Sequence, residues 1–416
     1  MNWSPRNPGT TTDLFAVETA GGLTVVVGRS GIYSTTTDLA TWNASAPLEG
    51  LGYGSWRTIA HGDGRFVIGG FRGLLSTSSD GQTWTQQLAH PGSGTFTASV
   101  HAEGRFVLAS LINSDSIPLI TSTDGSAWAA ATVPAGTETC NGVAHGADTF
   151  VASVTTGPSK LLVSDDGTAW SGVDPAGIGT LRGVAYGGGQ FVAWANASGG
   201  DPIRVAFSAD GQTWEVRDTP VASGGIGHAA FGDGRWVFVG SNGLVLSTTD
   251  FIDWNEQQIV FGGAAAEFLD DVIFAEGCWV IVARRHQFWS SDNGLDWVDA
   301  FTTGLALPGD RIWDLIFDGE AFLGCGESGT LIRSANLGSG RGLVTLSIRK
   351  GVPGSVVVGV TGREGDDWDL YFTPDLSSAN QVFRTTLTLG AGTFEFTDPT
   401  DLGGRGFYFL EEPPGP

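Results

Sequence analysis

Seven tryptophans, at positions 42, 84, 128, 170, 214, 254 and 297, return at intervals of 42, 44, 42, 44, 40 and 43 residues. A nearly fixed period in this range marks a solenoid, a propeller or another array of stacked units, and it overrides any domain count taken from length. A short polar run precedes each tryptophan. The fullest copy is Ser208-Ala209-Asp210-Gly211-Gln212-Thr213-Trp214, and the others place Asp38, Asp80, Asp124, Asp166, Asp250 and Asp292 ahead of their tryptophans. Such a run suits a tight turn between strands. A strand ends at the Ser or Thr, the Asp carboxylate accepts backbone N–H groups just beyond it, Gly supplies φ > 0, and Trp opens the next strand.

Between tryptophans a second pattern recurs, clearest in Trp56-Arg57-Thr58-Ile59-Ala60-His61-Gly62-Asp63-Gly64-Arg65-Phe66-Val67-Ile68 followed by Leu74-Leu75-Ser76-Thr77. It reads as strand A, a Gly/Asp turn, strand B opening on an aromatic residue, and strand C running into the Asp turn, with the tryptophan starting strand D. Units beginning near Leu14, Trp56, Phe96, Cys140, Leu181, Ile226, Leu269 and Ile312 make eight. The eighth has no tryptophan after it, while a spare one, Trp3, stands 39 residues before Trp42. The expectation is an all-β, eight-bladed β-propeller over residues 1–340, closed by the N-terminal strand, with seven blades the alternative if one unit is irregular. The period stops near Arg341. Six further strands over 341–410 predict a small C-terminal β-sandwich, followed by a tail, 411–416.

The repeated run resembles the Asp-box (BNR-like repeat) of sialidases, xyloglucanases, sortilin-type receptors and photosystem assembly factors. That resemblance implies a propeller in which Asp38, Asp80, Asp124, Asp166, Asp210, Asp250 and Asp292, with Trp42, Trp84, Trp128, Trp170, Trp214, Trp254, Trp297 and Trp3, are scaffold. It implies no activity, because the superfamily holds both enzymes and binders. The sialidase catalytic signature is missing: of five tyrosines only Tyr53 falls where a nucleophile could face the channel mouth, and Arg6-Asn7-Pro8 does not replace the early Arg-Ile-Pro. Near the C-terminus, Asp369-Leu370-Tyr371-Phe372-Thr373-Pro374-Asp375-Leu376, Phe394-Glu395-Phe396-Thr397-Asp398-Pro399 and Arg405-Gly406-Phe407-Tyr408-Phe409-Leu410 resemble a module that ends secreted verrucomicrobial and planctomycete proteins. Phe409 stands where that module usually has Arg. The module implies an extracellular or cell-surface address.

Charge narrows the partners. With 44 acidic and 21 basic residues the chain carries −23, which repels phosphate backbones and anionic lipid, so no nucleic-acid partner is expected. No run approaches the ~20 apolar residues of a membrane helix, so no membrane insertion is expected either. Cys140, Cys278 and Cys325 lack metal-ligand spacing and sit in apolar strand patterns, as buried thiols do. No charged segment followed by an apolar one opens the chain, as a signal peptide would; a cytoplasmic protein, or one whose leader is replaced by an initiating Met, is expected on that ground.

Comparing the units separates scaffold from candidate site. His61, His101 and His145 share a column with Tyr186, Phe231, Phe274 and Phe317, which reads as a structural cap on strand A. The two columns near the start of strand A break the repeat: Arg57, Arg182, His228, Asp270, Asp271, Trp313 and Asp314 lie there, with Arg311 close by. Strand A is innermost in a propeller, so these residues are the candidate ligand site at the channel mouth. Asp270, Asp271 and Asp314 are also a candidate Ca²⁺ site, since oxygen-only ligands suit that ion. Longer B–C connections at 111–118, 155–160 and 196–204 are expected to raise a lip over half of the mouth. Trp194 and Trp289, outside the tryptophan column, read as buried packing residues first and as aromatic platforms in the alternative, and Arg284-Arg285-His286 is the one basic cluster, a solvated turn or a docking patch. Together these features favour a binding or surface-assembly protein with a glycan or protein partner over a glycoside hydrolase of sialidase-like architecture.

Overall fold

A computed structural model describes residues 3–335, apart from 46–54, 89–93, 112–116, 262–263, 285–286, 301–306 and 310, together with the backbone of six strands beyond residue 344. The described residues hold eight four-stranded antiparallel sheets and no α-helix, so the chain is an eight-bladed β-propeller. Blade 2 shows the unit: strand A is Trp56–Gly62, B is Arg65–Gly70, C is Leu74–Ser78 and D is Thr85–Leu88. The remaining A strands are Leu14–Ala20, Thr95–Ala102, Thr139–Gly146, Leu181–Gly187, Ile226–Gly232, Leu269–Ala275 and Ile312–Phe317. Each packs against strand A of the next blade, and that of blade 8 packs against that of blade 1. In the eighth sheet the place of strand D is taken by Trp3–Arg6, antiparallel to Leu331–Ser334 with Trp3 opposite Ser334.

The sequence makes this layering in a simple way. Strand B of each blade is a run such as Val25-Val26-Val27 or Phe106-Val107-Leu108, wholly buried because both of its faces meet other blades. The core is therefore a series of inter-blade layers. In one of them Val192, Trp194 and Val205 of blade 5 meet Ile226, Trp236, Phe238 and Leu246 of blade 6. The histidine column is structural: His61, His101 and His145 lie 4.4–4.6 Å, centroid to centroid, from the aromatic residue that opens strand B of their own blade. A Cβ on Gly62 would lie 2.0 Å from the His101 ring, so glycine is required where this cap crosses the preceding blade. All three cysteines are buried, and burial pushes the Cys140 thiol up to about 12.

The polar run forms the turn its residues call for. Asp80 Oδ1 accepts the N–H groups of Gln82 and Thr83 at 2.8 and 2.7 Å, Ser78 Oγ donates to it, and Trp84 Nε1 donates to Gly81 O. The same bonds to Asp recur at Asp38, Asp124, Asp166, Asp210 and Asp250. The seventh copy corrects the expectation. Asn293, not Asp292, accepts from Leu295 and Asp296, because the turn counts from Ser291 and its third residue is Asn293.

A second unit, Leu337–Pro416, follows the propeller. Its six strands form two three-stranded sheets. One contains Thr345–Lys350, Val356–Thr361 and Thr393–Asp398; the other contains Val382–Thr388, Asp367–Thr373 and Phe407–Glu411. The expected boundary at 340/341 and the tail after Glu411 lie outside the described residues.

Candidate functional site

A β-bulge recurs near the start of strand A. In seven blades the A–B register slips near the start of strand A, between Leu14/Ala16, Trp56/Thr58, Phe96/Ala98, Cys140/Gly142, Leu181/Gly183, Ile226/His228 and Ile312/Asp314. An extra residue at a bulge is released from the ladder and its side chain is re-aimed. Phe15, Arg57, Arg182 and Trp313 are such extra residues.

Blades 7, 8, 1 and 2 bring them into one row. Arg311 donates through Nε to Asp270 Oδ1 at 2.7 Å, and its guanidinium lies 3.7 Å from the centroid of the Trp313 ring. Trp313 meets Phe15 edge to face at 5.8 Å, and Arg57 lies over the other ring of that pair, 3.9 Å from the Phe15 centroid. The two rings thus meet each other and each carries one guanidinium, each cation–π contact contributing about 0.5–2 kcal/mol according to its exposure. Burial raises the Asp270 carboxyl to about 6 even with Arg311 against it, and its Oδ2 has no hydrogen-bond partner among the described residues.

Beside this row runs a chain of carboxylates. His228 Nδ1 lies 2.6 Å from Asp271 Oδ1, Asp271 Oδ2 accepts the N–H of Leu315 at 3.1 Å, and Asp314 Oδ2 accepts the N–H of Val17 at 2.8 Å. Each acid thereby ties its own blade to the next one round the ring. Burial, then the neighbouring Asp271, raises the Asp314 carboxyl to about 7. Desolvation draws the half-exposed His228 imidazole down, but Asp271 and Asp314 outweigh it and push it up to about 9.

These engagements overturn the calcium expectation. Asp270 faces a guanidinium, while Asp271 and Asp314 each give an oxygen to a backbone N–H of the next blade. Among the described residues no three His, Cys, Asp or Glu side chains are arranged to hold a metal ion. Trp194 is corrected as well. It is 4% exposed, in the layer between blades 5 and 6, because Gly183 leaves room for its ring: a Cβ there would lie 2.2 Å from it. Trp289 is likewise buried. Tyr53, residues 112–116 of the expected lip, Arg285 and His286 lie outside the described residues; Arg284 is 3.8 Å from Glu267.

Arg182 stands apart from the row, in blade 5. Together with the 196–204 connection it lines a cavity of about 360 Å³. Charges at this end of the blades are mixed, and most pair off: Arg29 with Asp13, Arg204 with Asp201 and Asp218, and Arg311 with Asp270. Arg57, Arg72 and Arg182 have no carboxylate within ion-pair distance among the described residues. Phe15, which carries Arg57, escaped the sequence reading, since an apolar residue inside a strand pattern looks like core. The signal available was its place in the Arg57 column.

No protein-family model matches the chain, and no curated protein matches it in sequence. Solved structures do resemble it. The computationally designed Ika8 protein matches with a TM-score of 0.58 at 13% identity, over 79% of this chain and 98% of that one. YCF48 bound to D1 peptide matches with 0.51 at 16%, over 81% and 96%. Virginiamycin B lyase from Staphylococcus aureus matches with 0.53 at 10%, over 80% and 98%. At such identities the likeness is one of fold: this chain is built as those propellers are.

Proposed function

We propose that the chain is an extracellular recognition propeller that binds a polar partner at its channel mouth, a protein or peptide ahead of a glycan. The observation that carries this reading is the set of guanidiniums at the mouth without carboxylate partners, one of them, Arg57, held over the Phe15 ring at 3.9 Å. A stacked guanidinium loses little conformational freedom when a ligand arrives, and arginine with aromatic neighbours is the composition of binding hot spots. YCF48, of similar fold, has been solved with a peptide bound; this supports the choice of partner class. In this reading Trp3–Arg6 is the clasp that closes the ring. The two sheets of the second unit form a β-sandwich of the kind that ends secreted proteins, which is the ground for an extracellular address.

The hydrolase reading has one observation in its favour: the raised carboxyls of Asp314 and Asp270 have the character of general acids. Asp314, however, is tied to Val17 and Asp270 to Arg311, and Tyr186 packs tilted against Phe191, in the histidine column. The test is a screen of the full chain against immobilised peptide and glycan libraries, repeated with Arg57→Ala. Binding of a selected peptide should weaken at least tenfold in the variant. Turnover of aryl glycosides that disappears in Asp314→Asn would overturn the proposal.

A further inference from the structure

The cavity in blade 5 says what kind of group the ligand presents. One wall is rigid. Arg204, at the start of strand C of that blade (Arg204–Ser208), reaches Asp201 through two nitrogens, Asp218 at 2.7 Å and the Gly177 carbonyl at 2.7 Å, so its charge is consumed and its position set. The 196–204 connection is pinned as well, by the reciprocal backbone bonds of Ser198 and Asp201 and by Asn196 Oδ1 accepting the Ile226 N–H. Arg182 enters the same space from strand A with no carboxylate partner among the described residues. Its backbone carbonyl is held by Asn141 Nδ2 at 2.8 Å, which sets the strand but leaves the guanidinium available. Around it are the hydroxyls of Thr180 and Ser198 and the apolar surfaces of Ile178, Ala197 and Pro202.

A preformed pocket with one uncompensated guanidinium, two hydroxyls and a short apolar wall is complementary to a carboxylate on an aliphatic stem. The planar fork of arginine accepts a carboxylate through two parallel bonds, and the apolar wall suits methylenes. A sugar acid has the same charge. Sugar rings are commonly held against an aromatic face, however, and the described lining has none, Trp194 being buried in the layer beneath. We infer that the blade 5 cavity is a subsite for an acidic side chain, glutamate in the first place, of a peptide bound across the mouth. This rests on the recognition reading and names the chemistry of one end of its ligand. The net charge of −23 does not forbid it, because at physiological ionic strength charges beyond ~8 Å are screened while the pocket guanidinium is in contact.

The test uses the full chain and three small probes, N-acetyl-glutamate N-methylamide, the corresponding glutamine compound and glucuronate, with binding followed by ligand-detected NMR. The glutamate probe is expected to bind at least tenfold more tightly than the glutamine probe. Arg182→Gln should remove that preference, and Arg65→Gln, at the A–B turn of blade 2, should leave it intact. Ser198→Ala, a surface change that no fold contact depends on, should weaken the glutamate probe several-fold and so guards against misfolding of the arginine variant. Equal binding of glutamate and glutamine probes, or a preference unmoved by Arg182→Gln, overturns the inference. So does glucuronate binding tenfold more tightly than glutamate, which would make this a sugar-acid site. If selected peptides bind through Arg57 and ignore Arg182, the subsite fails while the recognition reading stands. If they depend on neither arginine, both fail.

Discussion

Asp314→Asn should make the protein more stable at alkaline pH, a direction opposite to that of most substitutions at a partly buried, hydrogen-bonded acid. Burial, then the neighbouring Asp271, pushes the carboxyl up to about 7 in the folded chain from an ordinary 3.8. A shift of about three pH units at 1.36 kcal/mol each sets an upper bound of roughly 4 kcal/mol on the cost of carrying the charge. The sign follows from proton linkage. A folded-state value raised above the unfolded one means that the native protein holds the proton more tightly, so this contribution is fully present below pH 3.8 and is lost as pH rises through 7. Asparagine keeps an oxygen for the Val17 N–H and never ionises. Against it stand a weaker acceptor and the loss of attraction to His228, together about 1–2 kcal/mol. The net expectation is a gain of about 1–3 kcal/mol at pH 8.5 and none, or a small loss, at pH 4. Urea unfolding followed by tryptophan fluorescence at the two pH values measures it. A variant less stable than the parent by the same amount at both would show that the native carboxylate is charged and welcome, and the account of the carboxylate chain would be wrong.

Other expectations concern the scaffold. Asp80, held by two backbone N–H groups, has its carboxyl lowered to about 2, so its stabilising contribution is present above pH 3.8 and lost as pH falls through 2; the melting temperatures of the parent and Asp80→Asn should converge as pH drops from 4 to 2. Gly183→Ala places a methyl against the Trp194 ring and should cost about 1–3 kcal/mol as overpacking. A double-mutant cycle with Trp194→Leu should show at least about 1 kcal/mol of rescue, and strict additivity would mean that the ring is not the obstacle. Trp3→Ala removes a side chain 3% exposed and stacked on Phe288 at 4.9 Å; a loss of about 3–5 kcal/mol in chemical denaturation is expected, and a loss under 1 kcal/mol would deny Trp3–Arg6 any part in holding the ring.

The blade was legible in the sequence because every element of it is local. Alternation, a Gly/Asp turn, an aromatic start to strand B and a Ser/Thr-x-Asp-Gly turn all act within a dozen residues, and eightfold repetition averages out any one copy's departures. Reading the seventh copy by its acid rather than by its serine is what led to Asp292 in place of Asn293. The site was legible only as a set of columns. The columns singled out Arg57 and Trp313, with Arg311 close by, but not the Phe15 ring that joins them. Nor did they show that Asp270 would be spent on Arg311, or that Asp271 and Asp314 would be spent on the N–H groups of Leu315 and Val17. For Trp194 the platform alternative fails and the packing one holds for the same reason, its room being made by Gly183 on a different strand.

Sequence alone determined the number of blades, the four strands in each and the position along strand A where the repeat gives way, since those follow from short-range backbone preferences repeated at a fixed period. Tertiary structure decided what the irregular residues do there. Whether an arginine is neutralised, stacked or left open depends on which side chains of the adjacent blade lie within about 4 Å, and in a ring those neighbours come from some forty residues away in sequence or, where blade 8 meets blade 1, from almost three hundred.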